Sequence, residues 1–128
     1  WRPRGALTAV AVRNPREAAA ALARALPRKR VVPIDGLPPG ARPEDSAGGP
    51  SATVLVGDPD GWQRQWGLWT RSRADGAVLI ATSCAAEFRA LAGSREFPPY
   101  AHDHGDRAWL VDPGGRARRV TAPLGEAC

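Results

Sequence analysis

Short apolar runs alternate with helical segments along most of the chain, and this pattern constrains the fold more than any other feature. Residues 6–12, 52–56 and 77–81 are runs of Ala, Val, Leu, Ile and Thr, as in strands that are buried on both faces of a sheet. Residues 30–34 predict a further strand, which Pro33 places at a sheet edge. Because parallel strands need a crossover between them, this alternation predicts an α/β fold with a mostly parallel sheet in three layers.

Local signals place the helices between these strands. Asn14 can cap a helix that has Pro15 at its first position and Glu17 at its third, and that continues through residues 18–26. In the same way, Ser83 after the last apolar run predicts a helix over residues 84–91. Each helix would return the chain to the start of the next strand.

The longest predicted helix runs from Asp58 through Ala74. Asp58 and Pro59 provide its cap and its first residue. Three tryptophans, at positions 62, 66 and 69, recur along it at helical spacing. Since one face of an amphipathic helix beside buried strands is expected to be large and apolar, we expect this stripe to pack in the core and not to form a stacking platform for nucleic-acid bases.

The last part of the chain predicts an antiparallel β-hairpin. Residues 107–111 and 116–120 flank the turn sequence Asp-Pro-Gly-Gly. Residues 35–50 are rich in Gly and Pro and predict a flexible loop. With 128 residues and no internal repeat, we expect residues 1–128 to form a single domain.

The excess of basic over acidic residues allows contact with anionic partners. Lys and Arg number 18 against 13 Asp and Glu, for a formal net charge of +5. The densest basic groups are Arg28, Lys29 and Arg30, then Arg71 with Arg73, and then Arg116, Arg118 and Arg119. We expect an ordinary solvated basic surface, and the alternative is an anion- or nucleic-acid-binding surface on the first and last of these groups.

Cysteine usage and hydropathy indicate a cytoplasmic protein. Cys84 and Cys128 are too few for a disulfide scaffold, which favours two free thiols in a reducing compartment. No stretch approaches the roughly 20 apolar residues of a membrane helix, so we expect no direct membrane insertion. The chain begins at Trp1, and we expect it to be a piece of a longer protein.

Two small clusters offer catalytic or metal chemistry. His102 and His104 form a His-x-His pattern with neighbouring aspartates, which can bind zinc, but the Gly- and Pro-rich surroundings favour a solvated loop and no metal. Cys84 follows a strand at a predicted helix start, where a nucleophile can lie with one of these histidines as its base. No nucleophile-elbow signature accompanies it, so we expect a buried cysteine.

Asp58 is the nearest candidate for a nucleotide-contacting residue. An apolar strand followed by an acid resembles a Walker B element, in which the aspartate holds magnesium. However, Gly57 stands where the first acid of the usual pair would be, and no G-x-x-x-x-G-K-[ST] loop exists anywhere in the chain. Without that loop a triphosphate has no cradle. We therefore expect Asp58 to act as a helix cap and expect no cofactor.

Five short stretches carry a resemblance to a known family: residues 54–63 (VLVGDPDGWQ), 89–91, 95–99, 107–111 and 114–120. With these, the stretch 53–123 resembles the C-terminal domain of actinobacterial FtsK/SpoIIIE-type ATPases, which include DNA translocases and the type VII secretion motor. The resemblance implies a RecA-like fold, a degenerate relative of the P-loop NTPases, in which this piece supplies the half from the Walker B strand onward.

The same resemblance implies a function without catalysis. Terminal domains of such machines are often degenerate and act in assembly, in substrate recognition or in regulation. The implied partners are other domains or subunits of the same machine, or a secreted protein substrate, with a cytoplasmic domain in a parent protein that can be membrane-tethered. The alternative is a basic DNA- or nucleotide-binding module that uses the two Arg clusters, and a third reading is a small cysteine hydrolase.

Overall fold

All strands that the structure describes belong to one mixed sheet. The computed structural model describes residues 7–37, 53–92 and 107–124. The strands are β1 (Leu7–Ala11), β2 (Arg30–Pro33), β3 (Thr53–Gly57), β4 (Val78–Ala81), β5 (Arg107–Val111) and β6 (Ala117–Thr121). Their order is β2-β3-β1-β4-β5-β6, with the first four parallel and β5 antiparallel to both neighbours. The predicted α/β class, the edge position of β2 and the terminal hairpin are confirmed.

Helices follow β1, β3 and β4. The helices are α1 (Pro15–Ala25) after β1, α2 (Pro59–Arg64) and α3 (Trp66–Asp75) after β3, and α4 (Phe88–Ala92), which a 3₁₀ helix (Thr82–Glu87) joins to β4. The helix predicted over residues 84–91 therefore begins as a 3₁₀ segment. A short 3₁₀ helix, Ile34–Gly36, occupies the start of the loop predicted over 35–50, whose remainder from residue 38 lies outside the described residues. Within the described ranges, no helix combines the length and the apolar character needed to cross a bilayer.

Gln65 interrupts the helix predicted to run from Asp58 through Ala74. Its backbone is non-helical, with φ −112° and ψ 43°, so α2 ends there and α3 begins anew. A break of this kind changes the direction in which the following side chains point. Trp62 and Trp69 are fully buried, as predicted, whereas Trp66 is 37% exposed. The prediction that all three tryptophans pack in the core is therefore wrong for Trp66.

Helices cover both faces of the sheet because its middle strands are apolar on both. On one face, Ala9 and Ala11 of β1 belong to a core cluster with Trp62 and Trp69, and we call this the tryptophan face. On the other face, Val10 and Val12 cluster with residues of α1, and we call this the α1 face. Every residue of β1 and β3 is buried. This burial accounts for the unbroken apolar runs from which the strands were predicted.

The indole N–H groups of the two buried tryptophans donate hydrogen bonds to backbone carbonyls that are distant in sequence. The indole Nε1 of Trp62 donates to the Val10 carbonyl at 2.9 Å, and that of Trp69 donates to the Leu91 carbonyl at 2.8 Å. Their ring centroids lie 5.0 Å apart in a tilted arrangement. Since a buried indole N–H without an acceptor is costly, these bonds fix α2 on β1 and α3 on α4.

Two glycines provide a test of this packing. A Cβ at Gly57 would lie 2.5 Å from Ile34 Cδ1 and 3.2 Å from Trp62 Nε1, whereas a Cβ at Gly67 in α3 would meet nothing within 4 Å. We expect Gly57→Ala to lower the free energy of unfolding by about 1–3 kcal/mol, because buried Ile34 must move. Gly67→Ala, the matched control, should raise it by about 0.5–1 kcal/mol through helix propensity. Urea unfolding measures both, and equal stabilities of the two variants would contradict the packing described.

Candidate functional site

The carboxyl ends of β3, β1 and β4 lie side by side, and we call this side of the sheet the carboxyl edge. From β1 the chain enters α1 on the α1 face, and from β3 it enters α2 on the tryptophan face. Adjacent strands whose connections leave toward opposite faces form a topological switch point, which is where open α/β sheets bind ligands. The residues that follow these strands therefore decide whether a nucleotide-type site exists here.

Asp58 is a helix cap at this edge. Its Oδ1 accepts a hydrogen bond from the Gly61 N–H at 2.7 Å, and Pro59 takes the first helical position. The fit is tight, since a Cβ at Gly61 would lie 2.8 Å from the same oxygen. The predicted capping role of Asp58 is confirmed, and nucleotide contact by Asp58 stays a prediction. Asn14 differs from its prediction, because its side chain donates to Glu17 Oε2 at 2.8 Å instead of capping the backbone of α1.

Arg13 spans the carboxyl edge through contacts that the sequence analysis missed. Its Nη2 donates to both carboxylate oxygens of Glu87, at 2.6 and 2.8 Å, and its Nε donates to the Ser83 carbonyl at 3.1 Å. The hydrogen bond to Glu87 raises the pKa of Arg13 above its ordinary value, and the charge of Glu87 adds to the effect. The guanidinium thus ties the β1–α1 connection to the 3₁₀ helix after β4. No spacing signal could have found a pair 74 residues apart.

Cys84 lies in the core of the tryptophan face. It is fully buried and is not in a disulfide, as the prediction of a buried thiol requires. The histidines proposed as its base or as metal ligands, His102 and His104, lie outside the described residues, as does Cys128. In the described part of the chain, no three His, Cys, Asp or Glu residues form a group that could hold a metal ion.

Both predicted basic clusters lie at the opposite side of the sheet, which we call the amino edge. Arg28 and Lys29 precede β2, which begins at Arg30, and Arg116 precedes β6. The pairing makes β2 and β6 run in the same direction, so both strands start at this edge. The two clusters lie at opposite ends of it, five strand spacings or about 24 Å apart.

The second cluster is not a single group of three arginines. Arg118 pairs with Leu110 across the hairpin, and Arg119 pairs with Trp109. Cross-strand partners share a face, and Trp109 belongs to the tryptophan-face core whereas Leu110 packs on the α1 face. Arg118 and Arg119 therefore lie on opposite faces, since side chains alternate along a strand. The structure brings Arg116 and Arg118 together beside one groove and separates Arg119 from them.

That groove opens at the amino edge, on the α1 face of the hairpin, and has a volume of about 800 Å³. Half-buried Leu110 and Val120 line it together with Ala77. The exposed side chains of Arg116 and Arg118 lie along its rim. The groove thus combines an apolar floor with two cations. Its signal in the sequence is the alternation of Arg116, Arg118 and Val120, which strand geometry places on one face.

No family model, curated protein or solved structure matches this chain. The resemblance of residues 53–123 to FtsK/SpoIIIE-type ATPases therefore stays a prediction, and the chemistry of the two edges is the basis for a functional proposal.

The Arg13–Glu87 pair can be measured by a double-mutant cycle with Arg13→Ala and Glu87→Ala. We expect a coupling of about 0.5–1 kcal/mol, because both carboxylate oxygens are engaged and the side chains are only partly exposed, at 49% and 30%. The Arg16–Asp35 pair is the matched control, since it is 3.9 Å long and its side chains are 87% and 58% exposed. Its coupling should be close to zero. Similar couplings from the two cycles in urea unfolding would contradict a structural role for Arg13.

Proposed function

We propose that this chain is a catalytically inactive, RecA-like domain of an FtsK/SpoIIIE-type ATPase that works by protein–protein contact. Its partners are other domains or subunits of the same machine, or a secreted protein substrate. The observation that carries the proposal is the engagement of polar groups at the carboxyl edge. Asp58 caps α2, and Arg13 binds Glu87, at the side of the sheet where α/β proteins hold nucleotides.

Packing around Gly57 supports the loss of catalysis. Gly57 takes the position of the first acid in a Walker B pair, and the space that a side chain there would need is filled by Ile34 and Trp62. A carboxylate cannot enter this space unless buried side chains move. The chain also lacks the glycine-rich loop and lysine that cradle phosphates. The metal-binding acid and the phosphate cradle are thus both missing from the sequence.

The sheet is compatible with the finer parts of the proposal. Parallel strands with α1 on one face and α2 and α3 on the other suit a three-layer RecA-like arrangement, to which the hairpin adds two antiparallel strands. The proposal includes a cytoplasmic location for the domain, in a parent protein that can be tethered to the membrane elsewhere.

Thermal melting with ATP and magnesium tests the proposal. A nucleotide held at 100 times its Kd would stabilise the fold by about 2.7 kcal/mol, which is roughly 10 °C for a domain of this size. We expect no shift for the wild-type chain. We also expect no shift in melting temperature for Glu87→Gln. This variant weakens the ion pair with Arg13, so that Arg13 is able to bind a phosphate if the pair alone prevents it. An active P-loop ATPase serves as the positive control, and a magnesium-dependent shift in either form of this chain would overturn the proposal.

A second function, DNA or nucleotide binding, is favoured by the distribution of charge. Cations at the amino edge are Arg24, Arg28, Lys29, Arg30, Arg73, Arg116 and Arg118, against the acids Asp75 and Asp112. Both acids accept hydrogen bonds from backbone N–H groups, of Leu7 and Arg116 respectively. The carboxyl edge mixes both signs, with Arg13, Arg16, Arg64 and Arg107 beside Glu17, Asp35, Asp58, Asp60 and Glu87. One basic edge suits contacts to several phosphates.

Salt dependence tests this second function. Each phosphate contact contributes about 0.9 to the slope of log affinity against log salt on duplex DNA. We expect the double variant Arg28→Ala and Lys29→Ala to reduce that slope by about two, and Arg64→Ala at the carboxyl edge to leave it unchanged. Fluorescence anisotropy with a labelled duplex measures the slopes. Binding that does not depend on salt, or that responds equally to Arg64→Ala, would remove DNA as a partner.

A further inference from the structure

The groove at the amino edge has a chemistry that indicates the class of partner. We propose that it binds an extended acidic peptide segment of a partner protein. In this arrangement an apolar side chain of the peptide lies on Leu110 and Val120, and flanking carboxylates bind Arg116 and Arg118. The assignment deepens the protein-contact function proposed above and rests on it.

The floor of the groove is an apolar surface that α1 does not fully cover. Leu110 and Val120 are both half-buried and pack at the margin of the α1-face cluster, whereas Val10 and Val54 in the middle of the sheet are fully buried. Leu110 lies on β5 and Val120 on the adjacent β6, so they form one continuous patch. Gly76 and Ala77, which precede β4, also line the groove and have little or no side chain. This leaves space on the floor for an aliphatic or aromatic side chain.

The cations on the rim are available to a ligand. Arg116 and Arg118 are exposed, and neither guanidinium makes an ion pair with any described residue. The neighbouring acid, Asp112, directs Oδ1 to the backbone N–H of Arg116 at 2.9 Å. An anionic group entering the groove therefore meets two cations whose charge no described ion pair neutralises.

Other roles for cations at this edge do not account for the two hairpin arginines. Arg24 and Arg73 lie in the last turns of α1 and α3, where a cation stabilises the helix dipole. Arg116 and Arg118 lie at no helix end. Charged residues on an outer strand also discourage pairing between sheets, but that role does not require an apolar groove beside them.

The lining of the groove favours a peptide over a nucleic acid. Single-stranded nucleic acids are held by aromatic side chains on which bases stack, and none of the described residues that line the groove is aromatic. The aromatic residue of β5, Trp109, is buried on the other face. A phosphodiester backbone gains little from an aliphatic floor, whereas a peptide that alternates acidic and apolar residues matches both parts of the groove. At about 800 Å³ the groove is large enough for a short segment of chain.

Binding of labelled peptides to the full chain tests the assignment. The probes are a set of fluorescein-labelled peptides of about ten residues, in which Asp and Glu surround a Leu or Phe at varied positions. Matched peptides carry Ser in place of the apolar residues, or Lys in place of the acids. We expect acidic–apolar peptides to bind, and both matched forms to bind at least about tenfold more weakly.

Variants locate the binding site. Arg116→Glu and Arg118→Glu should each weaken binding by about tenfold, and Arg118→Ala by a smaller factor. Two charge-matched controls should change it less than about twofold: Arg119→Glu, on the other face of the same strand, and Arg28→Glu, in the other basic cluster of the same edge. All of these positions except Arg28 lie in the hairpin, and circular dichroism with thermal melting verifies that each variant folds.

Several results would overturn the assignment. These are no binding by any acidic–apolar peptide, equal binding of the Ser-substituted peptides, and equal losses for Arg118→Glu and Arg119→Glu. Displacement of the peptide by duplex DNA, with equal sensitivity to Arg28→Glu and Arg118→Glu, would assign the edge to nucleic acid. Self-association that Arg118→Glu abolishes would assign the groove to a second copy of the chain.

The peptide and nucleotide experiments fail independently. A magnesium-dependent ATP shift with peptide binding intact would overturn the inactive-domain function and leave the groove assignment standing. Absence of peptide binding with no ATP shift would overturn only the groove assignment.

Discussion

The contact between Trp62 and Trp69 is the interaction on which the tryptophan face depends. Through its N–H group, each indole reaches a different part of the chain, Val10 on the central strand and Leu91 on α4. The pair therefore joins α2, α3 and α4 to one another and to β1 of the sheet. After Leu7, the side chains of β1 on this face are the small ones of Ala9 and Ala11. The large indoles fit against the sheet because these alanines leave space for them.

The two edges of the sheet differ in the partners that their polar groups have. At the carboxyl edge, Ile34 and Trp62 fill the space beside Gly57, and Arg13 is held by Glu87 and the Ser83 carbonyl. Polar groups there stabilise the fold. At the amino edge, the helices leave the α1 face of the hairpin partly uncovered, and the cations beside it make no ion pair with described residues. The groove proposed to bind a partner thus lies opposite the side that α/β enzymes commonly use.

Much of the fold was predictable because its signals are local. The strands follow from short apolar runs, and the start of α2 follows from Asp58 and Pro59, whose effects act within one turn. The break at Gln65 was not predictable, since no Gly or Pro marks it, and the exposure of Trp66 follows from that break. For the same reason the 3₁₀ start after β4 was read as an α-helix.

The candidate site was less predictable than the fold. Asp58 as a cap needed only neighbouring residues. To predict the Arg13–Glu87 pair, one must know that β1 and β4 are neighbours in the sheet. The spacing of residues along the chain does not give the order of the strands. The sequence analysis groups Arg116, Arg118 and Arg119 because they are close in sequence. Side chains alternate along a strand, however, so Arg118 and Arg119 lie on opposite faces of the sheet.

The charges of the described residues are separated between the two edges, which gives this part of the chain an electric dipole moment along its strands. An anionic partner then exerts a torque on the domain before any contact forms, and turns the amino edge toward itself. At physiological ionic strength this field decays over about 8 Å, so the orientation is set only in the last stage of approach. The carboxyl edge, with Arg13, Glu87 and Asp58, is thereby turned away from such a partner.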